Sequence, residues 1–306
     1  MASIQLVFTV VFMLGLVLVF VVMPWKTLYQ RRIQHGLPLL DQWSFAPSRL
    51  DLFDMLFALV IYFGVQGIGI TVVVENPDPN DIPGQFIQLS PFNSAAGLCT
   101  LLTLFLVVPA IYLRRGDLRS MRLRFDRLTE LIRIGFYAAV LLVPVTMFIN
   151  ALVSIFITPY SHPVIETLLA EASVTTLIYT VITVVIAAPL VEEFVFRGII
   201  LTYLHRVFSG TWRSETFILC RNSEMPSRQE MSPDLFQVHG ANLLTSLLFS
   251  ALHIGQGAAY IPLFILSFGI GYVGNKTGSI IPCVIIHMVL NGISTIPLIY
   301  LIIYQS

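Results

Sequence analysis

Apolar runs separated by short polar stretches recur along the whole chain, and their lengths define its elements. A helix of about 20 apolar residues crosses roughly 30 Å of hydrocarbon. Windows of that kind lie at 4–23, 52–74, 95–113, 134–157, 173–196, 258–275 and 279–303, with a shorter one at 241–254. The pattern predicts an all-α polytopic membrane protein of about eight transmembrane helices, the fifth running on past the membrane surface toward Phe208. The short run at 241–254 also fits a partial or re-entrant helix buried in protein. Leu118, Met121, Phe125, Leu128 and Ile132 recur at helical spacing among arginines, which predicts an amphipathic helix over 117–133 at an anionic lipid surface. Residues 209–240 are polar, contain Pro226 and Pro233, and read as a solvated cytoplasmic insertion. The chain divides into four N-terminal spans, 1–172, and a C-terminal helical core, 173–306, that carries the insertion.

Composition agrees with the pattern. With 56% hydrophobic and 11% charged residues and a mean hydropathy of +0.84, the chain is far more apolar than a soluble domain of its length. Its formal net charge is zero, so membrane lipids are expected as partners and nucleic acid is not. Basic residues follow the first window, fill the stretch between the third and fourth, occupy the fifth helix and its following loop, and recur at Lys276. The alternate loops hold Glu75, Asp78 and Asp81, and Glu166 and Glu171, without a basic residue. The positive-inside rule then puts both termini outside and the basic loops in the cytoplasm. The first window has no basic stretch before it and no small-residue cleavage site after it, so it reads as a retained anchor. Cys99, Cys220 and Cys283 are odd in number and lack metal-site spacing, which argues against a disulfide framework and suits a bacterial inner membrane.

Against this apolar background, Glu192 and Glu193 stand side by side in VVIAAPLVEEFVFRGIILTYL, with Arg197 four residues after the second acid. A charged group at mid-bilayer costs about 2.5–3.5 kcal/mol on insertion scales, so such groups face cavities and mark chemistry or transport. Residues four apart share a helical face, so Glu193 pairs with Arg197, while Glu192 is turned about 100° away and is free to serve as a general base. Phe249 and His253 share a face in LTSLLFSALHIG, as do His287 and Asn291 in IPCVIIHMVLNG. Together these supply a base, a second group to orient a water, and donors for an oxyanion. His253 lies about 18 Å along its helix and His287 about 12 Å from Ser279 at 1.5 Å per residue, so a flat topology leaves their meeting to the fold. Pro189, three residues before Glu192, is placed to open the helix backbone beside the site. GIGYVG at Gly269–Gly274 has the letters of a dinucleotide fingerprint, but in a membrane helix with no strand before it the glycines serve close packing.

EEFVFRG, FSALH and HMVLN, in that order across roughly residues 178–292, resemble the three motifs of the CAAX-processing and bacteriocin-processing (CPBP, or Abi) family of intramembrane proteases. The eukaryotic branch of that family is the type II CAAX prenyl endopeptidase. The resemblance implies a cytoplasm-facing cavity and a glutamate-dependent peptidase that cuts a membrane-associated peptide or protein, lipidated or not. By motif position, Glu192 is the activating base and His253 its partner, His287 and Asn291 are oxyanion donors, and Glu193, Arg197 and Phe249 are supporting groups. No cofactor is expected. Glu192, His253 and His287 are ligand types acceptable to zinc but lack HExxH spacing, so a divalent metal stays open.

Other chemistries leave more unexplained. An aspartyl protease needs two membrane aspartates, and the spans offer Asp54 alone, near an entrance. A serine nucleophile at Ser294 or Ser250 leaves the glutamate pair without a task. A proton-coupled transporter would use Glu and His as relays, yet the polar groups gather in the C-terminal half without an inverted repeat. A non-catalytic scaffold or immunity protein of the same fold is the remaining alternative.

Overall fold

Helices account for the architecture because the long apolar runs must satisfy their backbone groups internally. The computed structural model describes residues 22–36, 39–43, 48–75, 97–156, 174–208, 235–254 and 257–305, and these form eight helices with no strand among the described residues. They are α1 (Met23–His35), α2 (Leu52–Glu75), α3 (Leu102–Arg115, preceded by a 3₁₀ turn at Gly97–Leu101), α4 (Leu128–Phe156), α5 (residues 174–208), α6 (Leu235–Ala251), α7 (Tyr260–Thr277) and α8 (Ile281–Gln305). The first predicted window lies almost wholly outside the described residues, as does 209–234 of the insertion; 235–240 open α6. By length and composition, Gly97–Arg115 and Leu128–Ser154 are long and apolar enough to cross a membrane, and Leu52–Ile68 and Ile281–Ile296 are shorter apolar helices.

Two departures from the expected elements have local causes. The basic stretch after the first window is helical as α1, entered with Pro24 in its first turn and ended by left-handed Gly36. Of the stretch 117–133, expected as one amphipathic helix, residues 117–127 are instead a strap and 128–133 open α4. Gly116 ends α3 in the left-handed region, Asp117 caps a 3₁₀ turn at Leu118–Met121 by accepting from the Arg119 amide, and Arg122 and Arg127 both take positive φ. Met121 is thereby driven into the core at 0% exposure while Phe125 stays outside, so the apolar residues do not share one face.

At this same end of α3, charge fixes its neighbour. Asp51 and Asp54 form a reciprocal cap at the start of α2, each carboxylate accepting from the other's amide at 3.0 Å. Arg114 at the end of α3 reaches Asp51 Oδ2 at 2.9 Å, and Arg115 Nε reaches Asp54 Oδ2 at 2.7 Å, so acids at one helix start meet bases at another helix end. Burial alone would raise the Asp51 pKa, but the Asp54 amide and the Arg115 and Arg114 guanidiniums outweigh it and hold the carboxyl below its ordinary value. A depressed folded pKa contributes stability above the unfolded value of about 3.9, and that contribution is lost as pH falls through the folded value. Unfolding followed against pH should therefore show an acid step below about pH 4 that shrinks in Asp51→Asn; an unchanged step would show that the cap is not linked to folding.

Two cores hold the bundle together. Tyr62 and Ala58 of α2, Val107 and Ile111 of α3, Met121 of the strap and Val191, Phe194, Val195 and Ile199 of α5 share one core, which Phe249 of α6 and Val284 of α8 complete. Ala139 and Val143 of α4, Leu266 and Ile270 of α7, and Cys283 and Ile286 of α8 form the other. The glycines of α7 set its approaches, as expected from GIGYVG. A Cβ at Gly269 would lie 2.7 Å from Leu142, and one at Gly274 3.0 Å from the Cys283 sulfur. One at Gly271 would fall 1.8 Å from Asn242 Oδ1, displacing a side chain whose Nδ2 donates to the Phe268 carbonyl at 2.9 Å. Gly271→Ala should lower stability by about 1–3 kcal/mol in thermal unfolding.

Candidate active site

The middle of α5 is not a regular α-helix. Two π-helical stretches, Ile182–Ala187 and Phe194–Ile200, flank Ala188–Glu193, so both acids sit where the ladder changes register. Glu193 points into protein at 0% exposure, and Arg197 Nη1 donates to its Oε1 at 3.0 Å. Arg197 Nη2 donates to Ser267 Oγ on α7 at 2.7 Å and to the Ser267 carbonyl at 3.3 Å, while the guanidinium lies 4.8 Å from the Phe249 ring centroid. His287 on α8 brings Nδ1 within 2.9 Å of the same Glu193 Oε1. A carboxylate that already accepts from a guanidinium accepts again here, so Nδ1 carries the proton. The other ring nitrogen, Nε2, is left 3.9 Å from Glu192 Oε2.

Glu192, turned from Glu193 along the helix, keeps its side chain 21% exposed, and its Oε2, 3.9 Å from His287 Nε2, is too far for a hydrogen bond. Phe249 is the pivot of the group. Its ring lies 4.9 Å from that of His253, 5.9 Å from that of His287 and 5.1 Å from that of Phe196. α6 ends at Ala251, and His253 in the following turn directs Nδ1 to the Phe249 carbonyl at 2.9 Å, which fixes the proton there and leaves Nε2 as the acceptor.

Asn291 lies one turn beyond His287 and is held by backbone. Its Nδ2 donates to the Val184 carbonyl of α5 at 2.8 Å. That carbonyl is open because the Ala188 amide, shifted into π register, bonds Thr183 O instead, and the next residue in line, Pro189, has no N–H. Among the described residues one of the two Nδ2 protons is used, which leaves the second for another acceptor.

The structure thus gathers Glu192, Glu193, Arg197, Phe249, His253 and His287 around one point, with Asn291 beside them. The sequence reading missed three groups. Ser267 anchors Arg197 but reads in the chain as a small residue of a packed helix. The Val184 carbonyl has no side-chain signature; Pro189 five residues on is its only trace. Tyr62, buried on α2, lies within electrostatic reach of Glu192 although it comes from the N-terminal half. Among the described residues no group of three or more His, Cys, Asp or Glu side chains is gathered as a metal site.

No curated protein and no solved structure matches the chain. Residues 174–293, which carry every side chain of this site except Tyr62, match the family model of the type II CAAX prenyl endopeptidase, Rce1-like. That family is membrane-embedded and proteolytic. Over this segment the chain is similar to the Rce1-like type II CAAX prenyl endopeptidases.

Proposed function

We propose that the protein is an intramembrane endopeptidase that hydrolyses a peptide bond in a membrane-associated, CAAX-type peptide or protein, with water as the nucleophile. The observation that carries this reading is the buried series Arg197, Glu193, His287, which ends on a second carboxylate, Glu192, 3.9 Å from an imidazole nitrogen and without a hydrogen bond among the described residues. Glu192 takes a proton from water while His253 Nε2, the free acceptor of that ring, orients the same water. The water oxygen bonds to the peptide carbonyl carbon, and the carbonyl oxygen becomes an oxyanion. His287, when Nε2 is protonated, and the second Asn291 amide proton donate to it. Glu193 holds the His287 ring and balances its charge, as a carboxylate behind a histidine does in other hydrolases. The proton on Glu192 then passes to the amide nitrogen as the C–N bond breaks, which yields a carboxylic acid and an amine, and the acid's proton moves to the amine to leave a carboxylate and an ammonium.

A polytopic arrangement suits this chemistry. Phe105, Leu113 and Phe156 expose 73%, 85% and 81% of their surface, an outward apolar face that water would penalise and lipid would not. The basic loops favour a site opening to the cytoplasm of an inner membrane with both termini outside. The test is cleavage of a prenylated CAAX peptide and its unprenylated counterpart by the full chain in liposomes, with Glu192→Gln as the comparison. Cleavage by the wild type alone is expected, faster on the prenylated peptide; equal cleavage by both proteins would reject Glu192 as the base.

A further inference from the structure

We infer that Pro189 is a positioning residue of the reaction: by lacking an amide proton it leaves the Val184 carbonyl open, and this carbonyl aims the Asn291 amide. The inference rests on the peptidase reading, and it deepens that reading by naming what preorganises one of the donors. In a regular α-helix the Val184 carbonyl would accept from the Ala188 amide, but that amide bonds Thr183 O, one residue earlier, in the π stretch Ile182–Ala187. The π partner of Val184 would then be residue 189, and a proline there cannot donate. A part-buried carbonyl left without its helical donor accepts from another, and Asn291 Nδ2 supplies it at 2.8 Å from the neighbouring helix α8.

The geometry of a primary amide makes this bond informative. A carbonyl accepts only from the NH₂ end, so the Asn291 orientation is fixed by chemistry. The amide is planar, so pinning one proton on Val184 O fixes the direction of the other. And because Val184 lies on the same rod as Glu192, the donor on α8 is set in register with the base on α5. A donor held in advance needs no reorganisation as charge develops, which is the condition under which such a group lowers a barrier most.

Pro189→Ala tests this in the full chain reconstituted in lipid nanodiscs. Alanine restores an N–H at 189 that can bond the Val184 carbonyl and release Asn291. Proline inside a helix is intrinsically unfavourable, so the variant should unfold at the same temperature as the wild type or higher. Its kcat should nevertheless fall about tenfold or more, with KM changed less than about twofold, because a donor is loosened while the groups that bind substrate stay in place. Asn291→Ala should cost about 10²–10³ in kcat, and adding Pro189→Ala to it should cost nothing further. Asparagine-selective ¹⁵N NMR gives a readout independent of activity. The Asn291 side-chain amide resonance, identified by its loss in Asn291→Ala, should shift in Pro189→Ala. An unmoved resonance, or a Pro189→Ala loss that multiplies in full with that of Asn291→Ala, overturns the inference. A wild type that cleaves no peptide while the resonance still shifts rejects the peptidase reading and leaves the control of Asn291 by Pro189 standing.

Discussion

Glu192→Gln is expected to abolish peptide hydrolysis while leaving thermal unfolding unchanged. A positioned general base contributes about 10²–10⁴ to rate, and glutamine keeps the shape of the side chain while removing its basicity. Stability should be indifferent because the Glu192 carboxylate makes no hydrogen bond among the described residues; its polar neighbour, His287 Nε2, stands 3.9 Å away. Its side chain is 21% exposed, so the amide does not strand a polar group in a dry core. The measurement pairs single-turnover cleavage of a CAAX peptide with an unfolding curve in the same detergent. Retention of more than about a tenth of wild-type activity would place the base elsewhere, and a large drop in unfolding temperature would make Glu192 a structural acid.

How much of this was legible in the chain depends on how local each signal is. Windows drawn at 52–74, 134–157 and 279–303 lie close to α2, α4 and α8, because a long apolar run specifies a helix without help from its neighbours. The Glu193–Arg197 pair was legible for the same reason, since helix geometry alone brings residues four apart together. The glycines of α7 could be assigned to packing, although which partners they admit, Leu142, Asn242 and Cys283, is a tertiary fact. The strap at 117–127 was not legible. Its apolar residues have helical spacing, but two arginines in the left-handed region break the helix, and no propensity scale anticipates an arginine there. The pairing of Glu193 with His287 was equally hidden. Motif position joins Glu192 to His253, whereas the hydrogen bond that organises the site runs across 94 residues from the neighbouring acid. Ser267 and the Val184 carbonyl escaped because neither carries a charge or a motif; they matter through Arg197 and Asn291, which the chain does announce.

The adjacent acid should behave in the opposite way. Glu193→Ala removes the carboxylate that Arg197 and His287 share, leaving a guanidinium that is 1% exposed with only Ser267 and the face of Phe249 for compensation. Breaking one side of a buried ion pair costs about 3–5 kcal/mol, so this variant should be severely destabilised, and its residual folded fraction should be inactive because His287 has lost the acceptor on Nδ1. Stability and catalysis can be separated by removing both charges. In Glu193→Gln with Arg197→Met neither position is left as a buried charge without its partner, so the double variant should be more stable than the sum of its single variants allows, by about 1 kcal/mol or more. Its peptidase activity should remain lost, because a neutral amide at 193 no longer balances the charge on His287. Additive stability losses would mean that the two side chains are held by their surroundings rather than by each other. Recovery of cleavage in the double variant would mean that His287 works without a carboxylate behind it, and the series from Ser267 through Arg197 and Glu193 would then be scaffolding for α5 and α7 with no part in the reaction.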